Sequence, residues 1–319
     1  MNTRSILVGA ALLTAAAVPA SGQTVGLATG PHNGGAQGAA SIPDFSSGLW
    51  ARVSFPGFEP PVAGPGPVTN RLRSRNGASS VYGFVGDYTN PILKPHAAEI
   101  VKQRGEIEFG GAHAPNSRTQ CWPGGVPFVF TNIGMQMFQQ PDKITIFYSD
   151  DHEVRHVRMN QSHPAYVTPS WYGDSVGHYE GDTLVIDTVG VKSGPFAMLD
   201  VYGTPHSPAL HVVERYRLLD YEVAKAAEER GERENLGLPM ADNGIARDPD
   251  YKGKGLQLQF TVEDEGVFTT PWSATVTYRR PSVPLGQWPE LVCAENASGY
   301  DGYDHGKKAA VPTADKPDF

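Results

Sequence analysis

The sequence is short of the residues and runs that would declare its class. Only two cysteines, Cys121 and Cys293, occur in 319 residues, which excludes a disulfide-dense small scaffold and a Cys-rich metal cluster. Beyond the first twenty residues no stretch is long and apolar enough to cross a bilayer as a helix, which takes about 20 apolar residues. Positive charge is in the minority, 26 Lys and Arg against 34 Asp and Glu, for a formal charge of −8. Nucleic acid and anionic membrane surfaces are poor partners for such a chain. Arg71, Arg73 and Arg75 cluster, but with no interleaved aromatics they read as a solvated loop. There is no Walker loop and no dinucleotide-binding glycine pattern opening a helix, which lowers the standing of nicotinamide and phosphoryl-transfer chemistry.

What is present starts at the amino terminus. Met1–Arg4 carries one positive charge, Ile6–Val18 is a run of apolar and small residues, and small residues recur at Val18-Pro19-Ala20 and Ala20-Ser21-Gly22. That is the three-part layout of a secretory signal peptide, too short for a membrane span. Residues 1–20 are therefore expected to be removed, and the mature protein to be periplasmic or secreted. In that oxidising setting Cys121 and Cys293 are expected to form one disulfide, with a reactive thiol or a metal ligand as the alternative. Closing so long a loop stabilises by roughly 5 kcal/mol at most in the loop-entropy account.

Glycine (36) and proline (27) are abundant while 39% of residues are hydrophobic, a balance that indicates many turns joining short strands rather than disorder. Residues 21–45 read as a flexible leader, 46–300 as a single β domain with an insertion at 221–255, and 301–319 as a disordered tail. Trp50 anchors a first strand, and Pro91–Arg104 reads as a helix with Pro95 in its first turn. From residue 142 the pattern has period two. Lys143–Ser149 and Glu153–Asn160 form one hairpin, and His178–Asp187 forms another around a Glu-Gly-Asp turn. Ala209–Leu218 is a strand, Leu256–Glu263 pairs with Trp272–Arg280, and Leu291–Glu295 is a last strand holding Cys293. Ala224–Arg230, inside the insertion, reads as a short charged helix. The fold class is mainly β: an antiparallel barrel, or alternatively a β-sandwich, with a few short helices.

Candidate working groups lie in the polar, aromatic middle. His163 and His206 sit in turns beside proline, where an imidazole that titrates near neutrality can be held for acid–base work; capping a turn is the competing role. Leu256, Leu258, Phe260 and Val262 make one apolar face that Asp264 continues, so its carboxyl stands at the rim of an apolar interior or simply opens the turn Asp264-Glu265-Gly266. His211 and Glu214 are an odd number apart and point to opposite faces; Glu214 shares its face with Val212, Tyr216 and Leu218 and is the interior candidate. His152 and His156, four apart on a strand, are roughly 13 Å apart and cannot grip one ion. Neutral imidazoles of His163 and His206 with a carboxylate would suit zinc or iron, but no ligand spacing demands it, and neither a metal nor another cofactor is assigned.

Several motifs carry a resemblance. Ser175–Gly190, with its core Gly181-Asp182-Thr183-Leu184-Val185-Ile186-Asp187-Thr188-Val189-Gly190, is similar to the signature of a large group of exported, largely uncharacterised bacterial β-proteins. Pro205-His206-Ser207 with Leu210–Tyr216, Val262-Glu263-Asp264 with Thr270-Pro271-Trp272, Cys121 with Pro123, and Cys293–Asn296 also fit. The resemblance covers most of 45–297 and implies export and a lipocalin-like or related β-barrel; it brings no established reaction. It marks His163, His206, Glu214, Asp264 and Trp272 as lying in recurrent motifs. The resulting expectation is an exported enzyme, a lyase, isomerase or hydrolase, using cofactor-independent acid–base chemistry on a small aromatic or sugar-derived compound. His206, Asp264, Glu214 and His163 would be catalytic, and Trp171, Tyr172, Trp272 and His211 would bind substrate in an enclosed cavity. The alternatives are a non-catalytic periplasmic binder of a hydrophobic ligand or glycan, and a cell-envelope interaction protein.

Overall fold

The structure, a computed structural model, describes residues 42–53, 57–71, 84–110, 114–150, 153–234 and 250–281. The expected signal peptide, most of the leader, His152, the 235–249 part of the insertion, the strand with Cys293 and the tail lie outside the described residues. Cys121 is not a free thiol; its expected partner Cys293 is among those outside.

Nine strands close into a barrel in chain order. They are β1 (Leu49–Arg52), β2 (Gly134–Gln139), β3 (Lys143–Tyr148), β4 (Val154–Met159), β5 (Asp174–Glu180), β6 (Thr183–Val189), β7 (His211–Leu219), β8 (Gly255–Glu263) and β9 (Trp272–Arg279). The last strand returns to the first through Ala51↔Arg279 and Arg52↔Tyr278. The expected barrel is there, and the sandwich is not. One feature departs from a wholly antiparallel sheet: β4 and β5 run parallel, in register only at Arg158↔Val176 and Met159↔Gly177. A hairpin cannot join parallel strands. Asn160, at φ 55, turns the chain out of the sheet instead, a backbone state asparagine tolerates better than most residues, and segment 160–173 crosses back before β5 begins.

Period-two alternation decides what faces the lumen. Trp50, Met135, Tyr148, Tyr216, Phe260, Trp272 and Tyr278 are at most 2% exposed, and the register places them on one continuous inner surface. The lumen is thus the core, filled by side chains as small barrels are. Phe260 meets Phe58, Phe130 and Trp272 edge-on, with ring centroids 4.9–5.9 Å apart.

Two helices flank the barrel. Helix α1 (Pro95–Phe109) does have its proline in the first turn and buries Ala97 and Val101. Helix α2 (Tyr221–Glu234) is longer than the sequence pattern suggested. It lies against β8 and β9, where Gly255 allows the approach: a Cβ there would meet Ala224 Cβ at 2.5 Å.

Strands β5 to β9 bring one rim of the barrel together. Asp174 starts β5 opposite Val189 at the end of β6; Val189 pairs with His211 at the start of β7, and His211 with Glu263 at the end of β8. The crossover 160–173 and the connections 190–210 and 264–271 join at this rim.

Candidate functional site

Glu214 points inward, as its strand parity requires, and is wholly buried. It is also fully engaged. Arg155 on β4 grips it with two bonds, Nη1 to Oε2 at 2.9 Å and Nη2 to Oε1 at 2.6 Å, and the Tyr216 hydroxyl donates to Oε2 at 2.9 Å. The same guanidinium reaches Ser175 Oγ (3.0 and 3.2 Å) and Thr188 Oγ1 (2.7 Å). Burial disfavours the Arg155 charge, but Glu214 and Tyr148 beside it outweigh burial and raise its pKa; burial raises those of Tyr148 and Tyr216. Both carboxylate oxygens are therefore occupied, and the pair ties β4 to β7 across the lumen.

Asp264 is likewise occupied. Its Oδ1 accepts from Ser207 Oγ (2.6 Å) and the Gly266 amide (2.9 Å), and its Oδ2 accepts from the Ser207 amide (2.6 Å). It therefore serves the turn-forming role that competed with catalysis, and fixes the loop carrying His206. The His206 ring is half-buried, with Nδ1 3.3 Å from the Ser207 carbonyl, and burial lowers its pKa despite the Ser207 bond and Asp264 nearby. Asp200 holds the other end of this loop through the amides of Tyr202 (2.9 Å) and Thr204 (3.2 Å). Burial pushes its carboxyl up to about 6 against those bonds.

The aromatic candidates do not line one cavity. Trp272 is core. Trp171 stacks beside Trp122 at 5.4 Å with Lys192 Nζ 4.8 Å from its ring, and Trp122 meets Phe196 at 5.3 Å. The Tyr172 hydroxyl is turned inward, its pKa raised by burial and by Glu153. Glu214 at 0% and Trp272 at 1% exposure are packed among the large inward side chains of the lumen.

What the fold does assemble is on the outer wall of the same rim. His163 lies in the crossover with Nδ1 2.6 Å from Asp174 Oδ2 and Nε2 3.1 Å from Asp187 Oδ1. His211 approaches the same Asp187 oxygen with Nε2 at 3.0 Å and has Glu263 Oε2 3.4 Å from Nδ1. Arg158 closes the row with two bonds to Asp174 at 2.7 and 2.9 Å. The order Arg158–Asp174–His163–Asp187–His211–Glu263 alternates positive or protonatable groups with carboxylates. Two imidazoles converge on one carboxylate oxygen, and each has a second carboxylate behind its other nitrogen. The side chains of His163, His211 and Asp187 are 24%, 32% and 38% exposed, so the row is open to solvent. Groups of this kind can accept a proton at one point and deliver it at another.

Of the four expected catalytic residues, Glu214 lies inside the lumen, Asp264 is tied to the loop that carries His206, and His163 stands on the outer wall beside His211, which was expected to bind substrate. Asp187 and Glu263 lie inside quoted motifs and Asp174 directly before one, and none of the three reads as a working group from the sequence. The register row Asp174–Val189–His211–Glu263 is the signal that unites them, and it requires the pairing of four strands. Among the described residues, no group of three His, Cys, Asp or Glu is disposed to hold a metal ion, and no helix is long and apolar enough to cross a membrane.

Fold and site together define a closed nine-stranded β-barrel with a filled lumen and a histidine–carboxylate array on its outer wall. No family model, curated protein or solved structure matches the chain.

Proposed function

We propose that the protein is an exported enzyme performing acid–base chemistry, an elimination, isomerisation or hydrolysis, on a small aromatic or sugar-derived molecule bound at the outer rim. His163 and His211 act as the proton-transferring pair and Asp187 as the carboxylate that orients both. Asp174 and Glu263 fix the far nitrogens of the two rings. The observation that carries this reading is the convergence of two partly exposed imidazoles, through Nε2, on the single Asp187 Oδ1, at 3.1 and 3.0 Å. The mutually inclined rings of Trp122, Trp171 and Phe196 form an aromatic cluster in the loops that offers apolar contact to a ring.

The test is a turnover screen of the mature protein on lactones, uronates and phenolic esters, followed by His163→Gln and His211→Gln on any substrate found. Removing a general acid or base costs about 10²–10⁴-fold, so kcat/KM is expected to fall at least 100-fold in each variant. Unchanged kcat/KM in both would sink the assignment.

A second reading, a non-catalytic binder, is favoured by one separate feature. A cavity of about 480 Å³ is lined by Phe138, Phe147, Gln139, Gln140, Thr145 and Ser46, and its two phenylalanines are exposed and in edge contact at 5.3 Å. Ligand affinity lost in Phe147→Ala and kept in both histidine variants would select it.

A further inference from the structure

Among the described residues, Arg155 and Arg52 both point into the lumen, and of the two Arg155 alone is paired with a carboxylate. Arg155 is neutralised by Glu214. Arg52, on β1 beside Tyr278 of β9, is 1% exposed and donates from Nη2 to the Gly57 carbonyl alone. Its Nε and Nη1 have no acceptor. The charged or ionisable groups that act on it are two tyrosines, Tyr278 and Tyr202, and a second cation, Arg118. Burial, with Arg118 adding to it, pushes its guanidinium down to about 10. Arg118 has Asp150, Arg158 has Asp174 and Arg279 has Glu228, whereas Arg104 donates to the Pro115 and Pro195 carbonyls and Arg280 to Ser47 Oγ.

The neighbouring segments add donors rather than acceptors. The Arg52 amide donates to the Ile133 carbonyl at 2.8 Å. The preceding residue, Asn132, is buried; its Oδ1 is taken by Arg118 while its Nδ2 is unpartnered. Ser117, next to Arg118, is also buried with an unpartnered hydroxyl. A buried cation without a counter-charge costs several kcal/mol, and a buried donor without an acceptor commonly marks an ion or water at that place. A buried guanidinium with two unpartnered nitrogens and a second cation acting on it calls for an anion.

We propose that this end of the lumen binds one compact inorganic anion of chloride size, accepting hydrogen bonds from Arg52. Trp50, Phe58 and Tyr278 are at most 4% exposed, so the occupant sits within side-chain packing, which favours a single atom over a four-oxygen anion. The ion stands opposite the tyrosines as the counterpart of Glu214 and holds β1 to β9.

The mature protein is unfolded by heat and by urea at fixed ionic strength, with sodium chloride progressively replacing sodium gluconate. A ligand specific for the folded state lowers the unfolding constant about tenfold per decade of concentration above its Kd, and the wild type is expected to follow that slope. Arg52→Met is expected to lose the response and to be no more stable than wild type in chloride; Arg52→Lys is expected to keep it at higher chloride. Crystals soaked in bromide are expected to show an anomalous peak against Arg52 Nε or Nη1, a readout that stands even if Arg52→Met fails to fold. The proposal is overturned by identical wild-type curves in the two salts, by an Arg52→Met protein more stable than wild type in both, by a response to sulfate without one to chloride, or by a bromide map empty at Arg52.

Discussion

The inner and outer faces of the β5–β8 wall use the same chemical groups to opposite ends. Inward, Glu214 meets a guanidinium, a tyrosine and a threonine, and every oxygen is taken in a place water does not reach. Outward, Asp187 offers one oxygen to two imidazoles and remains over a third exposed. A buried ion pair holds geometry because breaking it leaves an uncompensated charge. An exposed array contributes little to stability, since solvent screens it, but its protons can be exchanged. Strand parity finds the carboxylate that faces inward, and only the fold shows that its oxygens are already taken.

The largest expected effect breaks the inner member of that comparison. Glu214→Ala strands Arg155 in the lumen and is expected to destabilise by about 3–5 kcal/mol, read as a shift of the urea midpoint. A loss below about 1 kcal/mol would mean that the two faces are not different in kind.

A smaller effect marks the border between the regions, in the loop 199–207. The Asp200 carboxyl, raised to about 6 from a model-compound value of 3.8, binds its proton more readily folded than unfolded. Its stabilising contribution is fully present below about 3.8 and is lost as pH rises through about 6, a swing of up to about 3 kcal/mol. His206 acts in the opposite sense: its pKa is lowered from 6.5, so the neutral ring's contribution is present above that value and lost as pH falls. Stability measured from pH 4 to 7 is expected to rise more steeply with pH in Asp200→Asn than in wild type, and less steeply in His206→Gln. Curves parallel to wild type in both variants would show that these groups are not buried as described.

The smallest effect belongs to the outer array. Asp187→Asn is expected to change stability by no more than about 0.5 kcal/mol, as surface substitutions do, while kcat/KM falls as in the histidine variants. A loss of stability comparable to Glu214→Ala would make the array a brace rather than a site.

Much of the barrel was legible. Trp50, the 143–160 and 178–187 hairpins and the β8–β9 pair follow from alternation and turn residues, and parity placed Glu214 inside and His211 outside. Strand β2 was not legible, because Gly134-Met135-Gln136-Met137-Phe138-Gln139 carries no β-branched residue and ends in exposed Phe138. The parallel β4–β5 pairing was also hidden, since strand patterns specify faces and not directions. The partner of Glu214 could not be read from the chain: Arg155 is 59 positions away and sits between residues that resemble an ordinary charged strand. Asp187 looked like a solvent-facing acid, and it becomes informative only when His163 is folded over it by the crossover.

That crossover leaves the cylinder with one poorly stitched staff. Where β4 meets β5 the backbone ladder is two residues deep, a Cβ on Gly177 would press on Met159 Sδ and Val157 Cγ1 at 3.0 Å, and Arg155 reaches across to Ser175 from the inside. The hoop is therefore drawn shut by side chains more than by main chain, and it springs at this joint first. Amide deuteration of 175–177 ahead of the β7–β8 ladder would be the trace it leaves, and His163, riding on the strap beside the joint, would swing away from Asp187 each time it opens.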